Sequence, residues 1–299
     1  MADITAKMVK ELRECTGAGM MDCKKALAEV DGDTDAAIDV LRTKGLAALA
    51  KKADRATNEG VIGGIVADDA RTGVLVEVNC ETDFVARNAD FKTFVSDIAN
   101  HIAVAAPADV PALLAQEYSA RPEVTVEQFL GETVGKLGEN MGISRLARYE
   151  LASDAGAIAV YIHGVGNIGV MVEIAAGDAG AAASEGFAAL SKDVAMQIAA
   201  AAPISVNRDE VPADVVAHEM EIYKAQAAES GKPEQIQEKI ATGRLEKYYK
   251  EVCLLEQAFV KDPDVTVKQY VHSTAKTLGT EITVVRFERF VLGETASAE

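Results

Sequence analysis

The chain has 299 residues, of which 49% are hydrophobic and 26% charged, and a formal net charge of −17. That length can bury a substantial core, in one large domain or in several smaller ones. The excess of acid argues against direct nucleic-acid binding, which rests on clustered Lys and Arg, so a protein or small-molecule partner is expected.

The opening MADITAKMVKELRE mixes acids and bases without an apolar segment, so neither a secretory signal nor a transit peptide is expected. No apolar run approaches the roughly 20 residues that span a bilayer, so no membrane span is expected, and the four scattered cysteines suit the reduced thiols of a cytoplasmic protein. Ile4 to Glu14 has helical period, with Met8, Val9 and Leu12 on one face. A second helix is expected over Asp22 to Glu29, after the loop TGAGMM. A third is expected from Thr34 to Arg42, with Asp33 as its cap. Residues 1–55 therefore form a three-helix unit, and the polar AKKADRATNEG after it suits a linker.

Beyond the linker the chain repeats itself. TGVLVEVN from Thr72 matches IGVMVEIA from Ile168, and DIANHIAVAAP from Asp97 matches DVAMQIAAAAP from Asp193, both 96 positions apart. The same shift carries Phe91, Phe94, Ile98 and Ile102 onto Phe187, Leu190, Val194 and Ile198, one buried helix face present twice. Farther on, VTVEQFLGETVGKLGENMGISRLARYEL from Val124 matches VTVKQYVHSTAKTLGTEITVVRFERFVL from Val265, at an offset of 141. Each copy is expected to run hairpin, helix, helix, strand. The larger offset places about 45 extra residues between Pro203 and Val265 of the second copy.

That insertion predicts two helices broken at Ser230 to Pro233, with Gly231 closing the first and Pro233 opening the second. Its Ile222, Ile236 and Ile240 need cover, either from the protein's own core or from another molecule. The expected boundaries are 1–55 for the N-terminal unit, 56–152 for the first core copy, and 153–214 with 262–293 for the second. Residues 215–261 form the inserted hairpin and 294–299 a disordered tail.

Enzyme signals are weak. GVGNIG, Gly164 to Gly169, satisfies the dinucleotide pattern GxGxxG, but the strand-like VMVEIA follows it where a phosphate site needs a helix, so a hairpin turn is expected. Asp68 and Asp69 lie in the equivalent turn and are expected to be solvated. Cys15, Cys23, Cys80 and Cys253 form no CxxC, and the four histidines show no ligand spacing, so no metal, cofactor or disulfide framework is expected.

Features confined to one copy are the better functional candidates. Shifting Thr82, Asp83 and Phe84 by 96 lands on Asp178, Ala179 and Gly180, so the fold common to both copies does not demand the aromatic ring. Phe84 is then either a core residue or an exposed anchor for a partner. His163 has Ala67 as its counterpart and is a weaker candidate of the same kind.

LRECTGAGMMDCKKAL, from Leu12 to Leu27, and EVNCETDFVAR, from Glu77 to Arg87, resemble the two signature stretches of bacterial translation elongation factor Ts. The likeness covers nearly the whole chain. That family is the guanine-nucleotide exchange factor for elongation factor Tu. The resemblance implies an α+β fold: an N-terminal three-helix, ubiquitin-associated-like domain, then a duplicated core of two antiparallel-sheet-plus-helix subdomains. A helical hairpin inserted in the second subdomain serves dimerisation in some members. It further implies that Thr82, Asp83, Phe84 and Val85 disturb the Mg²⁺ site of the GTPase, Phe84 wedging between its helices, so that Mg²⁺ and then GDP leave and GTP reloads. Leu12, Met20, Met21 and His163 are implied as further contacts, although core packing competes for Leu12. No covalent bond changes, so no enzyme in the chemical sense is expected. The alternative is a non-catalytic interaction module acting through the N-terminal domain.

Overall fold

The computed structural model describes residues 4–229, 231 and 233–294. The N-terminal unit contains α1 (Ala6–Thr16), α2 (Met20–Glu29) and α3 (Thr34–Lys52). Thr5 and Asp33 cap α1 and α3, their side chains accepting the backbone N–H groups of Met8 and Ala36. Leu12, Cys23, Ala26, Leu27 and Ala37 are fully buried where the three helices meet. The third helix runs ten residues past the expected Arg42, because RTKGLAALAKK is rich in helix formers and its far half lies across the core. At that crossing a Cβ on Gly45 would stand 3.0 Å from the Gly131 carbonyl carbon, so the two glycines permit backbone contact. The link to the core is consequently short, residues 53–58.

The core is of the α+β kind, with two three-stranded antiparallel sheets. One has the order β1 (Glu59–Val66), β2 (Thr72–Cys80), β5 (Met141–Glu150). The other has the order β6 (Gly156–His163), β7 (Ile168–Ala176), β10 (Ile282–Val291). Alternation decides which side chain goes where. Val74, Val76 and Val78 point to α5 (Ala89–Ala105), joining Phe91, Phe94, Ile98 and Ile102. Val170, Val172 and Ile174 meet α9 (Glu185–Ala201) in the same way. The opposite faces of the sheets meet through Ile62, Leu75, Ile158, Met171 and Phe290. The layers are thus helix, sheet, sheet, helix.

Between β2 and β5 come α4 (Asp83–Arg87), α5, α6 (Val110–Ala115), the short pair β3 (Glu117–Tyr118) and β4 (Arg121–Thr125), and α7 (Val126–Leu137). The second half answers with α8 (Ala179–Ala182), α9, β8 (Ala258–Phe259), β9 (Asp262–Thr266) and α12 (Val267–Leu278). Thr125 and Thr266 form identical capping boxes with Gln128 and Gln269. Between α9 and β8, α10 (Ala213–Ala228) and α11 (Glu234–Val252) form the inserted hairpin. Ala227, Ala241 and Leu245 are buried in it, while Ile236 remains exposed. Gly231 takes φ 65°, the left-handed conformation expected of it. Of the expected tail, all but Glu294 lies outside the described residues. No described helix is long and apolar enough to cross a membrane.

The halves grip each other by equivalent contacts. Arg145 donates to the fully buried Glu77 at 2.8 Å and its guanidinium lies 4.1 Å from the Phe290 ring of the other sheet. Arg286 donates to the fully buried Glu173 at 2.7 Å and lies 4.0 Å from the Tyr149 ring. The hairpin turns are exchanged too: the Ile158 N–H donates to the Ala70 carbonyl and the Ile62 N–H to the Gly166 carbonyl, each at 2.8 Å. Such reciprocity is the pattern of an isologous dimer built within one chain. It also accounts for GVGNIG, which is the β6–β7 turn, docked on β1.

Candidate functional site

The second strand β2 ends at Cys80 and the chain turns directly into α4, a helix of five residues. So short a helix has little stability of its own, and its surroundings hold it. Thr82 caps it, the hydroxyl accepting the Val85 N–H. Glu139, just past the end of α7, accepts from the Thr82 N–H at 3.0 Å and from the Thr82 hydroxyl at 2.7 Å. The Cys80 thiol donates to the Thr82 carbonyl at 3.2 Å. Burial, reinforced by the charge of Glu139, pushes that thiol up to about 12, so it stays a neutral donor. Glu81 accepts the Asn140 N–H and pairs with Arg55 at 3.3 Å. The Asn140 bond and then Arg55 hold its carboxyl below the usual range. Val85 and Ala86 on the inner side of α4 are buried against the core.

Phe84, on the outer side, is 82% exposed. Asp83 beside it is ion-paired to Arg87 at 3.0 Å, one helical turn away. The result is a bulky ring raised above a base fixed at both ends. Val85 corrects an expectation: its side chain is covered by the core and cannot itself touch a partner, so it serves as the root of the helix. Leu12 is corrected likewise. Its side chain is fully buried, because the face that carries period 3.6 in α1 is the face that α2 and α3 cover.

The remaining expected residues are exposed. Met20 and Met21 open α2, at 47% and 63% exposure. The loop before them rests on α7, Gly17 approaching the Lys136 side chain. Lys136 lies three positions before Glu139, so the N-terminal loop and the base of α4 share one end of α7. His163 is exposed at the end of β6, its Nδ1 3.0 Å from the Tyr161 hydroxyl. The turn that follows carries Val165, 62% exposed, and docks on Val61 and Ile62. Val61 pairs with Val78, and Glu59 with Cys80, where α4 begins. This turn and α4 therefore occupy the same end of the first sheet.

Glu139 was not singled out in the sequence, yet the repeat carried a signal for it. Thr82 corresponds to Asp178 and Glu139 to Thr280, and Asp178 is hydrogen-bonded to Thr280. The hydroxyl and the carboxylate have changed places between the copies.

Residues 81–294 match the family model described as "Elongation factor TS", a match that starts one residue before Thr82 and runs to the end of the described chain. The chain belongs to the elongation factor Ts family. It is 50% identical over 291 residues to the elongation factor Ts of Trichlorobacter lovleyi, covering 97% of this chain and 93% of that protein. It is 51% identical over 293 residues to that of Syntrophotalea carbinolica, with the same coverage. With that of Clostridioides difficile it shares 50% identity over 294 residues, 98% of this chain and 94% of the relative. In this member of the elongation factor Ts family, then, Phe84, Met20, Met21 and His163 are all exposed to solvent.

Proposed function

We propose that this protein is a guanine-nucleotide exchange factor for elongation factor Tu in translation elongation, and that it works by inserting Phe84 into the GTPase domain. The observation that carries this reading is the 82% exposure of a phenylalanine on a helix pinned by Thr82, Glu139, Val85 and Ala86. Leaving a ring in water gains nothing for the fold, whereas aromatic rings dominate binding energy at interfaces. Pre-organisation adds to this, since little conformational freedom is lost when the partner closes over a fixed ring.

Exchange follows from linkage. A factor that binds the nucleotide-free GTPase more tightly than the GDP-bound form must weaken GDP by the same ratio. Phe84 opens the gap between helices that flank the nucleotide. Thr82 and Asp83 accompany it and disturb the Mg²⁺ site, so that the ion and then GDP leave and GTP reloads. Val85 acts beneath the surface, fixing the angle of the ring. Met20 and Met21, adaptable apolar contacts, and His163 widen the footprint on the same partner. No covalent bond is made or broken. The work belongs to the cytoplasm, with no nucleic acid or membrane bound directly, and the hairpin of α10 and α11 offers a face for a homodimer.

Sedimentation of the purified protein with elongation factor Tu, with and without GDP and Mg²⁺, tests this. The expected result is a stable complex without nucleotide that excess GDP dissociates. A complex indifferent to GDP would leave a binding module without exchange activity.

A further inference from the structure

A cavity of about 300 Å³ lies between the end of α1 and the helices α5 and α7, lined among others by Cys15, Thr93, Asp97, Arg121, Glu132 and Lys136. Two of the three carboxylates around it are matched. Asp90 pairs with Lys136 at 2.9 Å and Glu132 with Arg121 at 2.7 Å. Asp97 is not: no described donor hydrogen-bonds or ion-pairs with its half-buried carboxylate. Arg121, the cation that acts on it from nearby, is committed to Glu132.

The second copy shows what such a carboxylate takes. Asp97 corresponds to Asp193, which binds the ammonium of Lys261 at 2.6 Å and the hydroxyl of Tyr270 at 3.0 Å. The counterparts of those donors in the first copy are Ala120 and Phe129, which have neither group. The aromatic pair beside each carboxylate agrees, while Arg121, Glu132 and Lys136 of the first copy correspond to Asp262, Ser273 and Thr277 in the second. Phe129 stacks on Tyr118 at 4.6 Å between centroids, and Tyr270 stacks on Phe259 at 4.3 Å. The carboxylate is present in both copies, its internal ammonium only in the second, and a cavity lies beside the first.

We propose that this cavity binds a small aliphatic primary ammonium ion, held by Asp97 in place of the missing lysine. The end of α1 contributes as well, because Cys15, Thr16 and Gly17 at its C-terminus line the cavity and the negative pole of a helix favours a cation there. Phe94 and Phe129 supply apolar and aromatic walls for a short alkyl chain. The site is separate from Phe84 and does not depend on the exchange reading.

The experiment titrates the full-length protein with 1,4-diaminobutane by calorimetry and by ¹H–¹⁵N spectroscopy, with sodium and tetramethylammonium chloride at equal ionic strength as controls. Saturable binding of the diamine alone is expected, with shifts at the amides of residues 15–17 and 97. Asp97→Asn should weaken it roughly tenfold or more, the loss of one charge-assisted hydrogen bond. Ala120→Lys combined with Phe129→Tyr rebuilds the internal donors of the second copy and should abolish diamine binding while raising the thermal midpoint. No saturable diamine binding by the wild-type protein would overturn the proposal. So would binding that Asp97→Asn leaves unchanged, or a folded double variant that still takes the diamine at full affinity.

Discussion

Replacing Phe84 by alanine separates the ring's contribution to the fold from its contribution to the partner. Under a fifth of the ring is covered. Of the roughly 200 Å² that an aromatic side chain can bury, about 40 Å² is therefore lost, worth about 1 kcal/mol at roughly 25 cal/mol per Å². The thermal midpoint should fall by only about 2–4 °C. At an interface the same truncation removes about 2 kcal/mol or more, equal to about thirtyfold or more in rate at roughly 1.4 kcal/mol per decade. The assay preloads elongation factor Tu with fluorescently labelled GDP and follows its release in a stopped-flow instrument on mixing with wild type or Phe84→Ala. A folded variant with undiminished stimulation would refute the role of the ring. A midpoint lowered by about 10 °C or more would refute the exposure on which that role rests.

Three further outcomes are expected. Glu139→Ala removes both acceptors that hold Thr82, so the Ala86 amide should exchange with solvent faster, stimulated GDP release should slow, and amides of β2 should keep their protection; an unchanged Ala86 amide would show that the carboxylate holds nothing. Gly131→Ala places a Cβ 3.1 Å from the Gly45 backbone and should cost about 1–3 kcal/mol in denaturant unfolding. Gly135→Ala on the same helix meets nothing within 4 Å and should stabilise by up to about 1 kcal/mol; equal effects would mean that α3 does not press on α7. His101 is buried, accepting the Ser119 N–H at Nδ1 and facing the Gln116 side-chain oxygen with Nε2, which therefore carries the proton. Burial holds its pKa below the ordinary 6.5, so the unfolded chain takes up a proton before the folded one does. Stability should be fully present above about pH 6.5 and decline as pH falls from there toward the folded value, a slope that His101→Gln should remove.

Much of the fold was legible because its signals are local. The helix faces of α5 and α9 follow from spacing, the cap at Asp33 from a single side chain, and the β6–β7 turn from the strand that comes after GVGNIG. The offsets of 96 and 141 exposed the duplication and the position of its insertion without reference to any fold. They also singled out Phe84 as a residue the scaffold does not require. The same comparison held the exchanged pair Thr82–Glu139 and Asp178–Thr280, but only a structure shows that residues so far apart in sequence touch.

Exposure was the quantity that spacing left open. Leu12, Val85 and Phe84 are all apolar residues in or beside family signatures, yet two are sealed and one stands in water. The length of α3 was open for the same reason, since its second half is stabilised by Gly131, which lies 86 positions from Gly45. Periodicity and caps depend on neighbours within a turn or two of chain, and the sequence alone settles them. Whether a side chain is covered, or a carboxylate such as Asp97 left without a donor among the described residues, depends on segments brought together from across the chain, and only the packing of those segments decides it.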